Sequence, residues 1–171
     1  MGISYEKNNK KLNFKIYNAL INKFLKKNNC KIIFEPGRSI IGNAGILISK
    51  VIYIKKNKNK SFVILDAAMN DLMRPALYGA KHQIIPSKKN KKITNKIFEF
   101  VGPICESTDK FLTTKKFQNI REGELIIICD VGAYGMSLSS NYNVRTLPAE
   151  ILVKNSKMQV IKSRQKLSDI I

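Results

Sequence analysis

The sequence predicts the tail of an α/β unit joined, near residues 43–46, to a mainly β domain. Three observations carry that expectation. Residues 11–26 (KLNFKIYNALINKFLK) set Leu12, Ile16, Leu20 and Phe24 at i+4 spacing, the apolar stripe of an amphipathic helix. Residues 30–34 (CKIIF) then read as a short buried strand ending in a Pro-Gly turn. Beyond residue 44 the helical spacing gives way to β-branched runs separated by polar breaks.

In chain order, Tyr17, Ile21 and Leu25 widen the apolar face of the first helix, and Asn28-Asn29 is its stop signal. The run 45–56 (GILISKVIYIKK) predicts a long strand, the Lys/Asn stretch 55–60 a hairpin loop, and 61–67 (SFVILDA) the strand that pairs back. Further strands are expected at 96–102, 124–130, 149–154 and 158–163, with short helical or irregular pieces near 69–78 and 133–140. Several strands at irregular spacing suit a β-barrel or sandwich. There are no internal repeats.

The 171 residues carry a net charge of +19, which raises a nucleic-acid reading. Its distribution argues against one. Twenty-six of the 31 basic residues are lysine, and the windows 32–49, 61–80, 97–109 and 117–153 contain none. Burial or a geometrically demanding site excludes lysine there, and most of the remaining charge reads as a solvated face. Arg38, Arg74 and Arg145 lie inside those windows, where a planar bidentate donor to carboxylate or phosphate, or a structural salt bridge, accounts for arginine over lysine. Cys30, Cys105 and Cys129 have no metal-ligand spacing, so neither a metal nor a disulfide framework is expected. The opening MGISYEKNNKK lacks the apolar core of a signal peptide, and no apolar run approaches the ~20 residues of a membrane span. A reducing cytoplasm is the expected location.

Four segments could carry chemistry. FEPGR (34–38) ends the short strand: glycine lets backbone approach an anion, Arg38 can pair with it, and Glu35 can hold or face a proton. A strand-terminal turn with a surface ion pair explains the same letters. NDLMRPALYGAKHQI (70–84) places Tyr78 four residues after Arg74, and Pro75 fits only a first helical turn. His82 there reads as structural or exposed rather than catalytic. VGPICESTDKF (101–111) sets Cys105 beside Glu106 in a loop, with Asp109 nearby. Such a thiol can donate a proton, although a small buried hydrophobe is the ordinary role of cysteine. DVGAYGMSLSSNYNVRTLPAE (130–150) places Tyr134 between glycines, able to project its hydroxyl toward a phosphate or carboxylate.

EPGRS, MNDLMRPALYGAKHQI, VGPICESTD, GAYG and SSNYNVRTLPAE, in that order, resemble the C-terminal part of the diaminopimelate decarboxylases. These are pyridoxal-phosphate enzymes of the alanine-racemase-like group. The similarity runs from about residue 2 onward, and CES with SSNYN…R…PAE resembles the diaminopimelate branch in particular. The resemblance implies an α/β remnant of a (β/α)8 barrel over residues 1–44. A mainly β (barrel or sandwich, Greek-key-like) C-terminal domain would follow over 45–171. It implies decarboxylation of meso-2,6-diaminopimelate to L-lysine and CO2, a step of lysine synthesis.

By the same resemblance, Glu35 would face the pyridine nitrogen, while Pro36, Gly37, Arg38 and Tyr134 would bind the cofactor. Arg38, Arg74, Tyr78 and Tyr134 would contact substrate. Cys105 would be the proton donor and Glu106 would reach the distal amino group, both supplied across a homodimer by the partner's loop. A full barrel takes about 250 residues, so most of it is expected to be missing here, with the Schiff-base lysine and the glycine-rich phosphate loop. The chain alone is then expected to be inactive, as a split-enzyme half needing an upstream barrel-encoding chain or as a non-catalytic remnant. A basic nucleic-acid-binding protein is the disfavoured alternative.

Overall fold

The computed structural model describes residues 2–5, 12–88, 93–115 and 117–171. Helix α1 spans Phe14–Lys27. Its boundaries follow from two asparagines. Asn13 Oδ1 accepts the backbone N–H groups of Lys15 (3.0 Å) and Ile16 (3.2 Å), satisfying donors that the first turn leaves free. At the other end Asn28 leaves helical geometry, and its Nδ2 donates to the Phe24 carbonyl at 2.9 Å. The predicted stop is thus a physical cap. Residues 6–11, including Lys11 of the expected helix, lie outside the described residues. Asn13→Ala is expected to cost about 1 kcal/mol of local stability. It should speed hydrogen exchange at Lys15 and Ile16 about fivefold while leaving the sheet amides unchanged.

One sequence expectation fails next. Residues 30–34 form no strand among the described residues, and Ile33 is 88 % exposed. The run has strand-forming residues, yet no neighbouring strand among the described residues offers a ladder. Phe34 meets Tyr17 of α1, with ring centroids 5.9 Å apart. The apolar stripe of α1 is likewise exposed at Phe14, Ile16 and Leu20.

After helix α2 (Arg38–Ile41) and a 3-10 turn over Gly42–Ala44, the chain enters a mainly β unit. Strands β1 (Leu47–Lys56), β2 (Lys60–Leu65), β3 (Ile84–Pro86), β4 (Ile93–Thr94) and β5 (Ile97–Val101) come first. Helix α3 (Arg74–Tyr78) lies between β2 and β3. Then follow β6 (Lys110–Thr114), β7 (Phe117–Gln118), β8 (Leu125–Ile128), β9 (Glu150–Lys154) and β10 (Lys157–Lys162). Six strands form one mixed sheet in the order β3-β8-β1-β2-β5-β6, and β9-β10 and β4-β7 form separate two-stranded sheets. The expected β1–β2 hairpin is present, with Ile54 opposite Val63, and β2 runs parallel to β5. β1 pairs with β8 over Leu47–Lys50 and with β2 from Val51 to Lys56, the latter ladder shifting register at a bulge between Val51 and Tyr53.

Period-two alternation places Val51, Val63, Leu65, Phe98, Phe100, Ile126 and Ile128 on the buried face. Phe117 closes that core edge-on to Phe100, 4.9 Å between centroids. The β9–β10 hairpin turns on Asn155 and Ser156, both at positive φ, the conformation of a two-residue type I′ loop. The helical piece expected near 133–140 is a 3-10 turn at Met136–Leu138.

Candidate functional site

The two loops flanking the entry to β1 are built around glycine. At Gly37 the backbone takes φ 34°, open to glycine alone at low cost, and Arg38 starts α2. Ser39 ties the turn, its N–H and hydroxyl both donating to the Pro36 carbonyl at 3.0 and 2.8 Å. The second loop, Asp130–Gly135, is stapled to the first: Val131 N–H donates to Gly45 O (2.9 Å) and Gly132 N–H to Gly42 O (3.0 Å). At Gly132 a Cβ would fall 2.1 Å from the Ile41 carbonyl oxygen, so only glycine permits this approach. The staple delivers Tyr134, itself at φ 62°, to Gly37: its hydroxyl lies 3.9 Å from where a Gly37 Cβ would stand.

Arg74 arrives from α3, where Pro75 occupies the first turn as the sequence predicts and Gly79 ends the helix at φ 61°. The Arg74 guanidinium carbon lies 5.0 Å from the Tyr78 ring centroid, 5.1 Å from Tyr134 and 5.8 Å from Tyr5. Arg38 shares Tyr5, at 5.4 Å. Gly2, Arg38, Arg74, Tyr78, Tyr134 and Leu138 line an open concavity of about 640 Å³. Among the described residues neither arginine forms an ion pair. Arg74 Nε and Tyr5 Oη are buried without hydrogen-bond partners among the described residues. Two cations held on aromatic faces, with donor edges unspent and a Cβ-free backbone beside them, fit a phosphate or carboxylate. This is what an anionic cofactor and an amino-acid substrate would present.

A family model described as the C-terminal sheet domain of pyridoxal-dependent decarboxylases matches residues 5–132. The chain belongs to that family. It is 40 % identical over 173 residues to the diaminopimelate decarboxylase of Aquifex aeolicus, a match covering 100 % of this chain and 40 % of the relative. Against the diaminopimelate decarboxylase of Zymomonas mobilis it is 45 % identical over 157 residues, 90 % of this chain and 36 % of the relative. The crystal structure of diaminopimelate decarboxylase from Helicobacter pylori complexed with L-lysine matches with a TM-score of 0.88 at 41 % identity. That match covers 99 % of this chain and 41 % of the other. The chain spans about two-fifths of the length of these relatives.

The remaining predicted residues of this decarboxylase-family chain lie away from the concavity's lining. Glu35 is exposed on the turn and Pro36 half-buried. Cys105 and Glu106 are exposed on the loop between β5 and β6. Arg145 resolves its two readings toward structure. Its Nε donates to Asn70 Oδ1 at 2.9 Å, Nη2 donates to the Asp66 carbonyl, and Asp71 lies 3.8 Å away. Sequence reasoning passed over Gly2, Tyr5 and Leu138. Tyr5 sits in a Lys/Asn-rich opening with no periodicity, and only tertiary contact shows that it carries two guanidinium groups.

His82, expected to be structural or exposed, is fully buried, with Nδ1–H donating to the Cys129 carbonyl at 2.9 Å. Its ring lies against Tyr5, centroids 4.3 Å apart, and Nε2 is buried without a partner among the described residues. Burial lowers its pKa from 6.5, and the charges of Arg74 and Arg38 push the same way, against the Cys129 hydrogen bond and Asp130. The sign follows: the unfolded chain binds this proton more tightly, so the stability gained from neutral His82 is complete above pH 6.5 and lost as pH falls below it. Thermal midpoints measured from pH 8 to 5 are expected to drop on acidification, and His82→Phe is expected to flatten that part of the profile.

Proposed function

We propose that this chain is the C-terminal portion of a diaminopimelate decarboxylase, converting meso-2,6-diaminopimelate to L-lysine and CO2 with pyridoxal phosphate. The single observation that carries the reading is the pair of arginines, Arg38 and Arg74, without ion-pair partners among the described residues and held by tyrosines over one concavity beside Gly37. The order of motifs and the named relatives support the substrate. Bound pyridoxal phosphate would supply the electron sink for loss of CO2.

This chain's residues then divide the work. Gly37, Arg38 and Tyr134, with Pro36 fixing the turn, would hold the cofactor phosphate, and Glu35 would hold charge at its ring nitrogen. Arg74 and Tyr78, with Arg38 and Tyr134, bind and orient the substrate carboxylate. Cys105 donates the proton to Cα, and Glu106 binds the distal amino group from a homodimer partner's loop. Residues 1–44 are the end of the barrel and 45–171 the β domain. The Schiff-base lysine and the rest of the barrel come from outside these 171 residues, so the chain alone is inactive. A reducing cytoplasm suits its reactive thiol.

The test is a chimera in which this chain replaces the matching two-fifths of the Helicobacter pylori relative. CO2 release from meso-diaminopimelate, dependent on added pyridoxal phosphate, is the expected result. A folded, cofactor-loaded chimera that releases none would count against the reading.

A further inference from the structure

Outside the concavity, the carboxylate of Asp109 spends both of its oxygens on backbone N–H groups. It is 3 % exposed, and its two oxygens serve different parts of the chain. Oδ1 accepts the Met69 N–H at 2.7 Å, and Oδ2 accepts the Ile104 N–H at 2.8 Å. Its backbone closes the same loop: Gly102 N–H donates to Asp109 O and Asp109 N–H to Glu106 O, both at 3.0 Å. Gly102 makes the room, since a Cβ there would stand 2.2 Å from Asp109 Oδ2. Met69 lies in the turn Ala68–Leu72, which Asp71 caps by accepting the Ala68 N–H at 2.8 Å, and that turn runs directly into Arg74.

We propose that Asp109 is a positioning residue whose carboxylate clamps the Cys105–Glu106 loop to the segment that carries Arg74. Charge-assisted bonds to backbone donors are short and strong, and burial removes water as a competitor. The loop's other side-chain tie to this segment is weaker, the Thr108 hydroxyl donating to Met69 Sδ at 3.8 Å, and Cys105, Glu106, Ser107 and Thr108 are all exposed. One side chain therefore sets where the proton donor stands relative to its own subunit's carboxylate-binding arginine. In a homodimer whose loops cross over, the clamp joins one site's proton donor to the other site's arginine. The inference rests on the proposed function for the role of Cys105, and on the geometry alone for the clamp.

Asp109→Asn tests it. The amide keeps the shape but turns one acceptor into a donor facing a donor. In this chain, hydrogen exchange at Met69 and Ile104 is expected to accelerate about tenfold or more, by a common factor, with Val63 and Phe100 unchanged. In the chimera, kcat is expected to fall about tenfold, and the loss is expected to vanish in a Cys105→Ala background, because coupled residues are not additive. A merely structural aspartate would lower kcat equally in both backgrounds, and that result overturns the positioning role. Independent exchange of the two amides overturns the clamp. If the variant does not fold, the unsubstituted chain decides: Met69 and Ile104 must share one opening free energy. An inactive chimera would count against the proposed function, leaving the exchange result to judge the clamp.

Discussion

Lysine in place of Arg74 is expected to raise the chimera's KM for diaminopimelate about 100-fold with its thermal midpoint unchanged. The change keeps the charge, so it isolates geometry. The Arg74 guanidinium lies against Tyr78, Tyr134 and Tyr5 at 5.0–5.8 Å, leaving its edge toward the concavity for a two-pronged bond to a carboxylate. An ammonium does not offer two parallel donors in a fixed plane. Losing one charge-assisted hydrogen bond from a desolvated pair costs about 1.5–3 kcal/mol, which sets the size of the effect. Arg145→Lys provides the contrast: that arginine is spent on Asn70 and the Asp66 carbonyl, so its replacement should lower stability without raising KM. An unchanged KM in the Arg74 variant would remove that residue from the carboxylate site.

Gly132→Ala is expected to destabilise the chain by about 3 kcal/mol, lowering the thermal midpoint by about 6–12 °C. The added methyl would meet the Ile41 carbonyl oxygen at 2.1 Å and the Gly45 nitrogen at 2.8 Å, both backbone atoms that cannot rotate aside. Relief requires the Asp130–Gly135 loop to part from Gly42 and Gly45, breaking two backbone hydrogen bonds. Because the same staple sets Tyr134 against Gly37, cofactor affinity in the chimera should fall with stability. Calorimetry of the chain and cofactor titration of the chimera check the two halves separately. A midpoint within 2 °C of the unsubstituted chain would show that the loops are not rigidly joined.

Where the chemistry was local, the sequence showed it. Asn28 as a stop, the Lys/Asn hairpin between β1 and β2, and Pro75 in a first turn all follow from capping, turn and proline rules acting within a few residues. CKIIF had strand letters but no strand to pair with, and ladder formation is not a property of one segment. Strand β6, KFLTT, escaped notice because only Phe111 points fully into the core and the flanking residues are polar. Arg38, Arg74, Tyr78 and Tyr134 were legible as separate candidates through lysine exclusion and glycine-flanked turns. That Tyr134 joins Arg38, Arg74 and Tyr78 around one concavity depends on the Gly42–Gly132 contact, made by residues 90 positions apart, which no spacing rule reports. Asp109 was visible only as a neighbour of Cys105, because its partners are backbone N–H groups that carry no letter.

Arg38, Arg74 and Tyr134 are proposed to form the anion-binding wall of a decarboxylase site. A crystal structure of the chimera with pyridoxal phosphate and L-lysine tests it most directly. The expected result places the phosphate against Gly37, Arg38 and Tyr134 and the lysine carboxylate on Arg74, with donor–acceptor distances of about 2.7–3.2 Å. Ligands bound elsewhere, with Arg74 turned onto protein carbonyls in a fully ordered site, would contradict it.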